Sequence, residues 1–299
     1  MPMPTFNLLS DIATYCKEKN RSIPEAMIDY ELAQGRSSRE MIFATLDKTL
    51  TVMEQAVERG LRELMITKSG MLKNWAKAVF ETKLSTLGVP LQRAVARALA
   101  VSEVNACMGK IVAAPTAGSS GIMPATLVTM REEHQVPREK LIEGLLVSGA
   151  VGLIFAKNSS FAGSEAGCMG ETGSAAAMAA STIVYLLGGT VEQTFEAAGI
   201  ALKGAMGLVC DPVAGLVEEP CAIRNAIGVA NAFTSAQIAL AGVKSLIPPD
   251  EVIFATKEVG DLMSPRLKES ALGGLANTKT AREIQKKVFR SEDVKIIGG

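Results

Sequence analysis

The sequence predicts an all-α fold on three observations. Between glycines near positions 118, 144, 163, 173, 188, 204 and 215, apolar residues recur at helical spacing or fill whole blocks, the pattern of amphipathic and buried helices. Alternating strings of Val, Ile or Thr, the mark of strands, are few. Hydrophobic residues make up 48% of the chain and aromatic residues only 4%, so the apolar mass is Ala, Met, Leu, Ile and Val, which suits closely packed helices.

Taken in order, the spacing predicts a helix over Ser37 to Gly60, opened by a capping box of Ser37 with Glu40, and another over Pro90 to Gly109. Both carry charges on an outer face. The stretch Ala114 to Pro124 is a small-residue loop running into a helix whose first turn holds Pro124. A helix over 174 to 187 is apolar all round and belongs at the centre, with others around it. Thr190 and Gln193 open the next helix with a second capping box, and Pro248-Pro249 breaks the chain before a helix beginning near Asp250. There is no fixed-period repeat and no low-complexity linker. The chain therefore reads as a single domain, 1–299, with a more polar helical part over about 1–90.

Lys plus Arg and Asp plus Glu each number 31, leaving no net field to draw in nucleic acid or an anionic membrane. The longest nearly apolar run, Ala175 to Leu187, falls short of the roughly 20 residues that span a bilayer. Met1 to Leu9 has neither a basic leader nor an apolar stretch with a cleavage site, so the expectation is a cytoplasmic protein acting on a small molecule.

Five cysteines without close pairs are no disulfide framework. Cys16 and Cys107 lie on helical segments and read as packed thiols. Cys168, Cys210 and Cys221 each lie beside Gly or Pro at a turn, from which a thiolate can project towards a shared centre. Free cysteine is also a common core residue, and spacing alone leaves both readings open. If the three converge, they fit an iron-sulfur cluster or, less well, zinc, which usually shows Cys-x-x-Cys pairs and four ligands.

Thr116, Ala117, Gly118, Ser119, Ser120 and Gly121 form a loop whose amides, with the positive end of the following helix, can cradle a carboxylate; an ordinary tight connection has the same composition. Asn158, Ser159 and Ser160 line the same pocket or form a turn. The single histidine, His134, stands in a charged surface segment, which excludes a histidine-rich metal site. No nucleotide-binding glycine motif occurs, and no lysine stands in a context that marks a Schiff base, so pyridoxal phosphate is not expected.

In sequence order, Pro115-Thr-Ala-Gly-Ser-Ser-Gly, then Asn158-Ser-Ser-Phe-Ala-Gly-Ser-Glu-Ala-Gly-Cys-Met-Gly-Glu-Thr-Gly-Ser, then Gly207-Leu-Val-Cys-Asp-Pro-Val-Ala-Gly-Leu-Val-Glu-Glu-Pro-Cys-Ala-Ile-Arg-Asn-Ala resembles the alpha chain of the iron-sulfur L-serine dehydratases. Glu103-Val-Asn-Ala-Cys-Met-Gly and Gly273-Gly-Leu-Ala are also similar to that family, and the resemblance runs from about residue 100 to 280. It implies a helical catalytic domain in which Cys168, Cys210 and Cys221 hold a 4Fe-4S cluster with one open iron, a Lewis acid rather than an electron carrier. It further implies a substrate pocket at Thr116 to Gly121, Asn158 to Ser160 and Ser69, conversion of L-serine to pyruvate and ammonia, and a beta subunit in a hetero-oligomer or homo-oligomer. No residue of the chain reads as the general base; a histidine of the partner chain is expected to supply it.

Two departures from the family pattern stand out. Ser69-Gly-Met-Leu-Lys-Asn-Trp75 replaces a Ser-Gly-x-x-Gly-Gly-Asp stretch, which leaves open a related lyase acting on cysteine or threonine, or a noncatalytic assembly partner. The chain also ends Lys-Ile-Ile-Gly-Gly, without the terminal cysteine of fused members, so inhibition by a tail thiolate is expected to be absent.

Overall fold

Some helices, including the 24-residue Arg39–Arg62, begin where a side chain satisfies amides that a helix start leaves free. The structure, a computed structural model, describes residues 4–35 and 37–289; the expectations about the tail thiolate and about Met1 to Met3 lie outside the described residues. α1 (Leu9–Lys19) and α2 (Ile23–Ala33) lead to the long α3 (Arg39–Arg62) and the short α4 (Trp75–Glu81). The cap of α3 is Ser38, whose Oγ accepts from the Met41 amide at 3.2 Å. The capping box expected of Ser37 with Glu40 does not form: Ser38 has the extended backbone a cap requires, and the residue three positions on is then Met41, which cannot complete a box.

α5 (Gly88–Ala106), α6 (Ile122–His134), α7 (Arg138–Asn158), the short α8 (Gly163–Cys168) and α9 (Ser174–Leu186) follow. α5 stops at Ala106, three residues before the expected end, where Met108 turns left-handed and the Gly109 amide returns to the Val104 carbonyl at 2.8 Å. α9 is buried along nearly its whole length, as its apolar circumference predicts, and packs against α6, α7, α10 (Val191–Ala205) and α11 (Cys221–Leu240). Small residues permit this crowding: a Cβ on Gly144 of α7 would stand 3.0 Å from Thr182 Cγ2 of α9. Thr190 and Gln193 cap α10 reciprocally, each side chain accepting from the other's amide.

α12 (Pro249–Leu262) begins at the diproline and α13 (Lys279–Val288) ends the described chain. Asp250, in the first turn of α12, accepts from the Leu9 and Ser10 amides at 2.7 and 3.2 Å, so it caps α1 from the other end of the sequence. One apolar cluster runs from Phe6 to Ile253. Among the described residues no strand forms, only isolated bridges joining Ile66 to Lys73 and Cys210 to Lys268. No described helix is long and apolar enough to cross a membrane.

The altered segment 69–75 keeps an ordered turn. Asn74 takes a left-handed φ of 54°, a conformation that asparagine tolerates better than most residues, and its Oδ1 accepts from the Met65 amide at 2.7 Å. Fully buried Glu103 then caps α4, accepting from the Trp75 and Ala76 amides at 2.6 and 3.3 Å. Burial pushes its carboxyl up, against the pull of those two amides.

Candidate metal centre

Cys168 closes α8 immediately before a π-helical turn, Met169–Gly173, that carries Glu171; single π turns recur at functional sites. Gly167 precedes the cysteine with φ 62°, and Leu208 O lies only 2.8 Å from where a Cβ would stand. Cys210 lies on an irregular segment whose amide donates to Leu267 O at 2.8 Å, while its carbonyl accepts from the Glu269 amide at 2.7 Å. Cys221 is the first residue of α11. All three thiols are buried.

The Sγ atoms of Cys168 and Cys210 and a Glu171 carboxylate oxygen all lie within 4.8 Å of one another. Cys221 stands outside that tight group, yet close enough that charge on Cys168 and Glu171 bears on its thiol. Gly163, having no side chain, lets these groups close in against its backbone. From the point where its Cβ would stand, Glu171 Oε2 is 2.9 Å away, Cys210 Sγ 3.0 Å and Glu269 Oε2 3.1 Å.

Electrostatics divides the thiols. The Cys210 thiol and then the Arg224 guanidinium hold Cys168 below the ordinary thiol range, despite its burial. Its hydrogen bond to Cys168, followed by burial, pushes Cys210 up; burial, followed by charge on Cys168, does the same to Cys221. Burial also pushes the Glu171 carboxyl up, against the Thr116 hydroxyl that donates to Oε1 at 2.8 Å. Soft donors in a buried wall, with one thiol held below the ordinary thiol range and no side chain at Gly163 to screen them, fit a thiophilic metal group.

The small-residue loop is tied to this centre twice. Thr116 reaches Glu171 as described, and buried Asn225, one turn after Cys221, accepts from the Gly121 amide at 2.9 Å and donates to Gly118 O at 2.6 Å and Cys221 O at 2.9 Å. Ser119 and Ser120 are buried, with Ser119 Oγ 3.1 Å from Thr116 Oγ1 and Ser120 donating to Ala117 O. Among the described residues, the amides of Ala117, Gly118 and Ser119 have no backbone acceptor. Ser69 donates to Glu218, which lies between Cys210 and Cys221 in sequence, at 2.5 Å.

The other predicted pocket residues lie differently. Asn158 spends its amide group on Asn7 O and Ile154 O, fastening the N-terminal segment. Ser160 Oγ accepts from the Ala162 amide, and Ser159 Oγ is buried without a partner among the described residues. His134 is exposed at the C-terminal end of α6, a helix length of roughly 20 Å from the loop at its start.

Glu171, Arg224 and Asn225 lie inside the sequence motifs with no role predicted for them; their helical spacing from Cys168 and Cys221 is the available signal. Glu269 gave none, because only the pairing of its segment with Cys210 brings it here.

Fold and site together define an all-helical protein with a buried cysteine and carboxylate centre walled by a small-residue loop. A sequence model described as the serine dehydratase alpha chain matches residues 18–276. The L-serine dehydratase alpha chain of Peptoniphilus asaccharolyticus is 45% identical over 290 residues, covering 96% of this chain and 99% of its own length. The probable L-serine dehydratase alpha chain of Bacillus subtilis is 45% identical over 287 residues, covering 95% of each. L-serine dehydratase 2 of Escherichia coli is 34% identical over 286 residues, covering 92% of this chain and 62% of that protein. The chain belongs to the serine dehydratase alpha chain family.

Proposed function

We propose that this chain converts L-serine to pyruvate and ammonia as the alpha subunit of a two-chain L-serine dehydratase. The observation that carries the reading is the meeting of Cys168, Cys210 and Glu171 against Gly163, joined to a loop with free amides, in a member of this family. Cys168, Cys210 and Cys221 are the residues that would hold a 4Fe-4S cluster, which when bound supplies a Lewis acid for the departing hydroxyl.

The chain's own residues do the rest. The free amides of Ala117, Gly118 and Ser119 hold the substrate carboxylate. Thr116 fixes Glu171, whose carboxyl is disposed to keep a proton in this buried position and can hold one beside the leaving group. Arg224 offsets the negative charge of the thiolates. Loss of the Cα proton and the β-hydroxyl gives aminoacrylate, which tautomerises to an imine and hydrolyses; the water lost is regained, and ammonia leaves.

A base for the Cα proton is not at hand in His134, exposed at the far end of α6, so we assign it to a partner chain. The Escherichia coli relative, of which this chain covers 62%, has length to spare for such a second part. The test is anaerobic reconstitution with iron and sulfide, followed by visible absorbance and pyruvate assay from L-serine, with and without a candidate beta chain. A coloured protein that forms pyruvate only with its partner supports the proposal. A colourless one removes the cluster, and equal activity without the partner removes the partner's base. Cysteine and threonine as competing substrates distinguish the related lyases.

A further inference from the structure

A zwitterionic amino acid has two charged ends, and the loop at Thr116 to Gly121 accounts for one of them. An α-ammonium group calls for a carboxylate with free oxygens. Glu171 is committed, with Oε1 to Thr116 and Oε2 beside the thiols of Cys168 and Cys210, at 3.9 and 3.7 Å. Asp211 is committed to Arg224 and the Leu275 amide, and Glu218 to Ser69. Glu219 keeps a buried Oε2 without a partner among the described residues; of Glu219 and Glu269 it is Glu269 that stands beside Gly163 with Glu171 and Cys210. Among the described residues its carboxylate accepts no hydrogen bond and forms no ion pair, and it is exposed.

Its position is nevertheless fixed. The Glu269 amide donates to Cys210 O, and the Cys210 amide donates to Leu267 O, so two backbone bonds hold the segment against the cysteine. Glu269 takes a left-handed φ of 59°, and its Oε2 lies 3.1 Å from the Cβ position of Gly163, next to Glu171 Oε2 and Cys210 Sγ. Glu171 stands between the two substrate-facing elements: its Oε1 is 2.9 Å from the Cβ position of Gly118 in the loop, and its Oε2 is 2.9 Å from that of Gly163. An amino acid lying across Glu171 thus meets free amides at one end and a free carboxylate at the other.

We infer that Glu269 receives the α-ammonium group of the substrate, making it the residue that distinguishes an amino acid from the corresponding hydroxy acid. The inference rests on the proposed dehydratase reading for the identity of the substrate. Glu269 binds; it neither takes the Cα proton nor holds the cluster, so its loss weakens substrate binding and leaves the metal in place.

The test compares ligands that differ only in the ammonium group. The full chain, anaerobically reconstituted, is titrated calorimetrically with L-alanine and with propionate, in the wild type and in Glu269→Gln and Glu269→Asp. The wild type should prefer L-alanine by about tenfold or more, equivalent to about 1.4 kcal/mol. Glu269→Gln should bring the two affinities within about twofold of each other and raise KM for L-serine by about tenfold, with kcat changed far less and iron content unchanged. Glu269→Asp should recover part of the preference. An L-alanine preference that survives in Glu269→Gln, or equal losses for both ligands, overturns the inference. A wild type that makes no pyruvate from serine with any partner overturns the dehydratase reading instead, while the binding ratio still judges Glu269.

Discussion

Arg224 and Asp211 form an ion pair of 2.7 Å with side chains only 12% and 3% exposed, and each makes a second contact beyond the other. Arg224 Nη1 stands 3.4 Å from Cys168 Sγ, while Asp211 Oδ2 accepts from the Leu275 amide at 2.6 Å. One buried pair therefore joins α11, the Cys210 segment and the loop after Glu269. Breaking such a pair from one side leaves an uncompensated charge and costs about 3–5 kcal/mol. Asp211→Asn should lower the melting temperature and reduce iron retained per chain; unchanged values for both would show that the pair does not organise the centre. Arg224→Lys keeps the charge but loses the fork that serves two partners, and should fall between wild type and Asp211→Asn.

The five cysteines should separate cleanly. Cys168→Ser, Cys210→Ser and Cys221→Ser should each lose most of the iron taken up on reconstitution, because each removes a soft donor from the wall. Cys16, buried on α1 with its thiol pushed up to about 11 by burial, and Cys107 at the end of α5 should tolerate alanine with iron content unchanged. Chemical iron assay per folded chain decides this. Full retention in Cys221→Ser would exclude that residue, which lies outside the 4.8 Å group.

Gly163→Ala places a methyl group where Glu171 Oε2, Cys210 Sγ and Glu269 Oε2 each come to within about 3 Å. Contacts this short force neighbouring groups aside, at a typical cost of about 1–3 kcal/mol. The expected result is reduced iron uptake and activity with helical content preserved by circular dichroism. Wild-type behaviour in both would mean that the close packing at Gly163 does not organise the centre.

How much of this was readable in the chain follows from the range of the forces involved. The reciprocal cap of α10 and the apolar circumference of α9 depend on neighbours three or four residues away, so Thr190, Gln193 and the alanines of α9 declared themselves, and the cap of α3 was missed by only one serine; the caps that Asp250 and Glu103 give to α1 and α4 come from distant segments and left no such sign. The cysteines stood out through their Gly and Pro neighbours. Glu269 could not, since its relation to Gly163 spans more than a hundred residues and depends on the bridge between Cys210 and Lys268. The polar tract Asn158 to Ser160 shows the opposite case: its composition suits a pocket, while the contact that draws Asn158 to the carbonyl of Asn7 lies far away in sequence. The altered segment 69–75 looked disruptive, yet Asn74 tolerates the left-handed turn and Glu103 supplies the cap from α5.

Acid should act on the protein far from the centre, at the end of α6. Glu133 is 11% exposed and bonds Arg93 at 2.9 Å and Arg97 at 3.3 Å, both from α5. Burial by itself would raise its carboxyl; the hydrogen bonds and charges of Arg93 and Arg97 outweigh it and hold the group below the ordinary carboxylate range. The unfolded chain titrates near the ordinary value, about 4.3 for glutamate. Above that value the whole stabilisation is present, and it is lost as pH falls through the lower folded value, where the native protein must take up the proton as well. Glu133→Gln removes the charge but leaves Arg97 bound to Thr129 and Glu132, so the loss at neutral pH should be partial, about 1–3 kcal/mol. Urea midpoints of the metal-free chain should therefore differ between wild type and Glu133→Gln at neutral pH and converge in acid below the ordinary carboxylate value. A difference that stays constant across that range would show that Glu133 acts by packing rather than by charge.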